Sequence, residues 1–386
     1  MEDDVRMLPE EALASRTAKH SKFVSFDFFE NEIQLTYSPY LFDGLFAPLD
    51  DEKLLDFYHG MEPLSYQSTL DGLLNIRDRY RLNDWLYFLL IRDLAVSLYP
   101  GEENELQQTL FCWVFLAKTG FKVQLNYHRE GVFLSVYTLD VVYDLPRKRH
   151  GKGFLVDISR FQKPEQYTYV ASVRSDFYLN TTSMPFRLQM LEAPQLPPRG
   201  QKRKRLVFIH NNRRFQVDVE IDQNMIELME NYPELSLKSH SLFPISQLAY
   251  KSLMPQLEKL LKNKSQEEQL RLLLSFTRTA FHYVEDRENS TTFSAEETLF
   301  SPKSDCEDRV VLFCYLVREL LSLPVIILEY EDHASAAVKL PKPRGQRVMH
   351  NREFYTFVEP TDIDDRLDLG EMPDNLKEKT YTIILQ

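Results

Sequence analysis

KSDCEDRVVLFCYLVRELLSLPVIILEYEDHASAAV, residues 303–338, spells a helix followed by two strands and sets the fold of the C-terminal half. Ser304 and Glu307 fit S-x-x-E, a capping box, which puts Asp305, Cys306 and Glu307 in the first turn of a helix. From Arg309 to Leu321, the residues Val310, Phe313, Cys314, Val317, Leu320 and Leu321 recur at helical spacing as a broad apolar stripe. Val325–Glu329 and Ala334–Lys339 read as strands, and two more follow at Phe354–Glu359 and Tyr381–Leu385. Upstream, FIHNNRRFQVDVEI (208–221) predicts a hairpin turning at Asn211–Asn212. Leu257–Leu261 and Leu270–Phe281 carry helical apolar spacing. Helices leading into a mostly antiparallel sheet make this an α+β fold.

The same order occurs earlier in the chain. TLFCWVFLAKTGFKV (109–123) lies on VLFCYLVRELLSLPV (311–325) at a shift of 202 residues, which puts Cys112 on Cys314. At that shift FLVDIS (154–159) falls on TFVEPT (356–361), and Asp157 on Glu359. Upstream the shift becomes 184, pairing Leu86, Leu89, Leu90 and Tyr99 with Leu270, Leu273, Leu274 and Tyr283, and IQLTY (33–37) with VDVEI (217–221). One shift held across separated segments predicts a tandem duplication. The difference, 202 − 184 = 18, is an insertion in the second copy between Tyr283 and Cys306. Between the copies, MLEAPQLPPRGQKRKR (190–205) has three prolines, a glycine and a basic cluster, and reads as a solvated linker. The expected organisation is therefore a domain at 20–190, a linker at 191–205 and a domain at 206–386.

Composition narrows the function classes. With 46 basic against 58 acidic residues in 386, the net charge of −12 argues against a nucleic-acid binder, which needs a positive field. The longest apolar runs, Leu110–Ala117 and Val310–Val317, are too short to span a bilayer, so no membrane partner is expected. The acidic start MEDDVRMLPEE lacks the apolar core of a signal peptide, and the expectation is a cytoplasmic protein. Three cysteines make no disulfide framework, and no CxxC pair exists for a zinc ribbon. The histidines show no H-x-x-H spacing and the 11 glycines no phosphate loop, so neither metal nor cofactor is expected. DIDDRLDLGE (362–371) has some look of a calcium loop but lacks Gly at its sixth position and Glu at its twelfth.

A cysteine at a helix start lies where orphan backbone N–H groups favour a thiolate and can stabilise an oxyanion. Glu307 and Asp308 beside it would raise its pKa unless turned outward, Asp308 toward Arg309 or the sheet. Downstream, His333 opens a strand and Glu359 lies on the next, so Cys306, His333 and Glu359 can converge as nucleophile, proton carrier and orienting acid. Cys112 and Cys314 sit on apolar helix faces as buried small hydrophobes.

YVEDRENSTTF…SDCEDRVVLFCYLVRELLSLPVIILEY…DHASAAV…FVEPTD resembles the core of the transglutaminase-like superfamily over about residues 270–365, with a degenerate version over roughly 80–160. In that family a Tyr precedes G-D-C-x-D-x-A at a helix start, and a histidine and an aspartate in D-P-T follow; here Cys, His and acid are spaced by 27 and 26 residues. The resemblance implies a papain-like fold and thiol acyl transfer on a peptide or amide bond of a protein or peptide substrate, with hydrolysis favoured over cross-linking. Carried over by position, Cys306 is the nucleophile, His333 the general base and acid, and Glu359 the orienting acid where the family has Asp; Asp362 is the alternative acid. Ser304 replaces the family glycine, and Ala334 and Ser335 stand where a tryptophan often follows the histidine. The first copy has Asn104 in place of Cys306, Glu130–Gly131 in place of His333, and retains Asp157, so it reads as catalytically dead. The insertion is expected to shape the substrate cleft, with Tyr283, Phe293 and Asp305 in its wall. The competing reading is a non-catalytic binding or scaffold protein built from two degenerate copies.

Overall fold

The computed structural model describes residues 22–38, 52, 58, 63–128, 131–159, 183–284, 291–362 and 365–385. The chain divides into two compact units, residues 1–188 and 189–386.

The first unit opens with an antiparallel hairpin, β1 (Lys22–Phe28) and β2 (Asn31–Tyr37). Helices α1 (Pro63–Tyr80), α2 (Asp84–Leu98) and α3 (Glu105–Thr119) follow. Asn83 starts α2 by accepting the Leu86 N–H at 3.1 Å, and Gly120, at φ 101°, stops α3 in the left-handed region. Four antiparallel strands complete the unit: β3 (Val123–His128), β4 (Gly131–Thr138), β5 (Arg147–His150) and β6 (Gly153–Asp157), in the order β3-β4-β6-β5.

The second unit also opens with a hairpin, β7 (Lys202–His210) and β8 (Arg213–Ile221). Its turn residues Asn211 and Asn212 have φ of 50° and 59°, the paired left-handed conformation that matches strand twist in a two-residue loop. The expected linker ends earlier than its composition suggests, because Lys202–Arg205 form the first half of β7. Arg203 and Arg205 both grip Asp218 across the hairpin, at 2.6 and 3.0 Å. Lys204 points to the other face, where its ammonium caps three backbone carbonyls, Leu299, Phe300 and Ser301, at 2.8–2.9 Å. Burial there lowers its pKa to about 8.

Helices α4 (Gln223–Glu230), α5 (Leu237–His240), α6 (Gln247–Leu261) and α7 (Gln266–Thr279) come next. A short parallel pair, β9 (His282–Tyr283) with β10 (Lys303–Ser304), brackets α8 (Ala295–Phe300). Helix α9 (Cys306–Leu316) ends in a π turn over Val317–Leu321. The sheet then forms from β11 (Val325–Glu329), β12 (Ala334–Val338), β13 (Arg347–His350), β14 (Glu353–Val358) and β15 (Thr382–Leu385), antiparallel throughout and ordered β13-β14-β12-β11-β15.

Alternation decides which face each strand residue serves. Val325 and Ile327, with Ala334, Ala336 and Val338, join the core beneath α9, whereas Ile326 and Leu328 pack with Val348, Tyr355, Phe357 and Leu376 on the opposite face. Helix α9 is apolar nearly all round because the core encloses it: from Asp308 to Val317 every residue is buried. At roughly 1.5–3 kcal/mol per fully buried large apolar side chain, its burial contributes substantially to the stability of the unit. Strand β12, which packs on α9, consists of Ala334, Ser335, Ala336, Ala337 and Val338, all buried. Lower in the unit, Gly345 and Gly370 cross with their backbones in contact; both have positive φ (48° and 80°), and a Cβ on Gly370 would lie 2.5 Å from the Arg344 carbonyl oxygen.

The two units repeat one succession: a hairpin, helices, a helix running into the sheet, and four antiparallel strands joined in the same order. Among the described residues, no helix is long and apolar enough to cross a membrane.

Candidate active site

Helix α9 begins one residue later than the sequence motif predicts. Asp305, in extended conformation, is the N-cap: its carboxylate accepts the Asp308 N–H, and the Asp308 carboxylate accepts the Asp305 N–H, both at 3.1 Å. Ser304 is unavailable for capping, since its backbone pairs with Tyr283 in β9 and its hydroxyl accepts Arg309 Nε at 2.9 Å. Cys306 is therefore the first residue of the helix proper, 8 % exposed. Its N–H and that of Glu307 are first-turn groups without an intrahelical acceptor.

Beneath this turn lies Arg309, fully buried. Besides Ser304 it donates to the Phe281 carbonyl at 2.8 Å, and its guanidinium sits over the Tyr283 ring, 5.1 Å from the centroid. Burial lowers its pKa to about 10, with Tyr283, Asp308 and Asp305 acting to raise it. Asp308 is not paired with Arg309 through a hydrogen bond; it accepts the Phe293 N–H at 2.8 Å and so ties the inserted segment to the helix start. Burial, followed by the charge of Asp305, raises the Asp308 carboxyl well above its ordinary range, and burial with Glu307 raises Asp305. Tyr283, Phe293 and Asp305 thus all gather around the start of α9, while residues 285–290 of the insertion lie outside the described residues.

His333 closes the β11–β12 turn, its carbonyl accepting the Tyr330 N–H at 2.8 Å. Glu359 follows directly on β14, the strand paired with β12. Adjacent strands bring them together: His333 Nε2 and Glu359 Oε2 are 3.1 Å apart. The same carboxylate oxygen accepts the Ser335 hydroxyl at 2.6 Å, and Oε1 accepts the Thr361 N–H at 3.1 Å and its hydroxyl at 2.5 Å. A buried carboxylate with four donors is held in one orientation. From behind, Arg278 Nε grips the Glu359 carbonyl at 2.9 Å. Burial alone would push the His333 pKa down; the Glu359 hydrogen bond and charge, with Glu307 and Asp332, outweigh it, and the pKa is raised.

Asp362 is not in this network. Its carboxylate accepts the N–H groups of Arg366 and Leu367 and caps its own loop.

The backbone N–H of Ala334, the residue after His333, acts on the Cys306 thiol to lower its pKa, against larger effects that raise it. The thiol itself donates to Glu307 Oε2 at 3.3 Å, so Glu307 is turned inward, contrary to the outward orientation considered from sequence. Burial, then the charges of Glu307 and Asp305, raises the thiol pKa. Sequence reasoning also missed Ser335 and Thr361, although E-x-T at 359–361 carried a local signal: Asp157 accepts the N–H and hydroxyl of Ser159 in the same way, at 3.0 and 2.7 Å.

Strand register corrects one correspondence between the units. The Tyr137-to-Lys122 backbone bond repeats as Lys339 to Pro324, a shift of 202, whereas Asp157 to Pro146 repeats as Phe357 to Gln346, a shift of 200. The connection from the second to the third sheet strand is two residues shorter in the second unit, so Asp157 corresponds to Phe357, and Ser159 takes the place of Glu359. Gly131 corresponds to His333, and the first unit carries none of the three groups.

Among the described residues, no cluster of His, Cys, Asp and Glu is arranged to hold a metal ion. No protein-family model matches the chain, and neither a curated protein nor a solved structure does.

Proposed function

We propose that the chain is a thiol acyl-transfer enzyme of transglutaminase-like type that arose by tandem duplication, with one active core in residues 206–386. The observation that carries this reading is the His333–Glu359 pair, fixed by Ser335 and Thr361 beside a helix-start cysteine. Glu359 occupies Nε2, leaving Nδ1 as the ring nitrogen to serve the thiol. The first unit, with Asn104, Gly131 and Ser159 at the matching positions, serves packing or substrate presentation.

In this mechanism the Cys306 proton passes to His333, and the thiolate bonds to the carbonyl carbon of a peptide or amide substrate. The carbonyl π pair moves to oxygen, where the N–H groups of Cys306 and Glu307 meet it. Collapse expels the amine, which takes the proton from the imidazolium and leaves a thioester. Water then attacks as His333 removes its proton, and the acid product leaves as the sulfur is reprotonated.

One observation favours the non-catalytic scaffold reading: the resting thiol is engaged by Glu307 rather than by the imidazole. Incubation with p-nitrophenyl acetate, followed by site-resolved mass spectrometry, separates the two. Acetylation confined to Cys306 and slowed by His333→Ala supports the enzyme. Absence of acetylation, or an equal rate in His333→Ala, in both the wild-type and the Glu307→Gln background supports the scaffold.

A further inference from the structure

Glu307 immediately follows the nucleophile and is partly exposed, yet its carboxylate folds back to accept the Sγ–H of Cys306 at 3.3 Å. It reaches the thiol by a direct hydrogen bond and the imidazole through its field alone. A carboxylate in that position opposes the thiolate at contact range and favours the imidazolium at longer range. Since Coulomb energy falls with distance, the opposition dominates.

The surrounding charges do not relieve it. Asp305, Glu307 and Asp308 face the sulfur's end of α9; Glu329, Asp332 and His333 border it from the β11–β12 segment; Glu359 comes from the end of β14. Asp332 is committed to Lys379, at 2.6–2.7 Å. Arg309, the cation nearest in sequence, is spent on Ser304 and Phe281 beneath the helix start.

We propose that Glu307 is a brake on the nucleophile, holding the Cys306 proton away from His333 until its carboxylate is turned aside or neutralised. The inference rests on the acyl-transfer reading above. On release the proton moves from Sγ to His333 Nδ1, giving thiolate and imidazolium with no change in their summed charge. Glu307 is then a residue that sets when the site is armed.

The test is the rate of iodoacetamide alkylation at Cys306 from pH 6 to 9, resolved by mass spectrometry. It is run on the full chain as wild type, Glu307→Gln and Glu307→Asp, each with and without His333→Ala. The brake predicts that Glu307→Gln speeds alkylation at pH 7 by about tenfold or more, the equivalent of one pKa unit. Glu307→Asp, too short to fold back equally, shifts the same way by less, and His333→Ala shrinks the gain to what relief of the carboxylate–thiolate repulsion alone supplies. If Glu307→Gln leaves the wild-type profile unchanged while His333→Ala slows alkylation, the brake is wrong and the acyl-transfer reading stands. If His333→Ala has no effect in any background, thiol and imidazole are not paired, and the acyl-transfer reading falls together with the brake.

Discussion

His333 Nε2 and Glu359 Oε2 stand 3.1 Å apart, and every other contact of that carboxylate serves to keep them so. Ser335 and Thr361 hold the Glu359 side chain by both carboxylate oxygens, so under the proposed acyl-transfer reading its extra length is taken up.

Replacing Glu359 with Gln should lower the His333 titration midpoint, measured by NMR, since burial is then opposed only by the charges of Glu307 and Asp332. A raised folded-state pKa stabilises the fold below the unfolded value, and that contribution is lost as pH rises through the folded one. Wild type should therefore gain most over Glu359→Gln in urea denaturation below about pH 6.5, with the gap narrowing at higher pH.

Arg309→Met should lower unfolding free energy by about 3 kcal/mol, from charged-group hydrogen bonds to Ser304 and Phe281 that lose their donor. Urea midpoints measure the loss. Because β9 and β10 meet at Tyr283 and Ser304, amide exchange of Ser304 and Asp305 should rise before global unfolding.

Glu296 is buried against Ser246, accepting its N–H and hydroxyl, and burial raises its pKa to about 7. Between the unfolded carboxyl value, near 4.3, and 7 the unfolded chain loses a proton that the folded one retains, so stability falls as pH rises. Glu296→Gln should remove that fall and gain on wild type by up to about 3 kcal/mol from pH 4.5 to 7.5, read from denaturation at each pH.

Gly370→Ala should destabilise by at least about 1–3 kcal/mol, because the residue needs positive φ and its Cβ would meet the Arg344 carbonyl. A thermal midpoint unchanged from wild type would show that the crossing with Gly345 relaxes freely.

Much of the second unit was legible in its sequence. β11 was readable to the residue because Val325–Leu328 are buried on both faces, and the Asn211–Asn212 turn because asparagine tolerates left-handed φ. β13 was not, since of Arg347–His350 only Val348 is buried. The Lys202–Arg205 run looked like solvated linker because its charges face outward or, at Lys204, end on carbonyls from a helix about a hundred residues away. The helix cap was misplaced by one residue for a tertiary reason, the claim of Tyr283 and Arg309 on Ser304. Within the site, the order of Cys306, His333 and Glu359 was visible. The inward turn of Glu307 was not, because the choice of rotamer depends on a sulfur and a sheet that local sequence does not specify.

The small side chains of β12 set the spacing between two layers. Ala334 and Ala336 lie under α9, so a methyl group is the shim between helix and sheet. A packed helix moves as a body when that shim thickens. A thicker residue there should carry the sulfur with the helix, while His333 and Glu359 remain tied to each other at neighbouring strand ends. The corresponding strand of the first unit carries the larger Val132 and Leu134 at these positions. Under the proposed acyl-transfer reading, the fit of thiol to imidazole is therefore adjustable by apolar volume alone: Ala336→Gly or Ala336→Val should change the Cys306 alkylation rate without altering any polar residue.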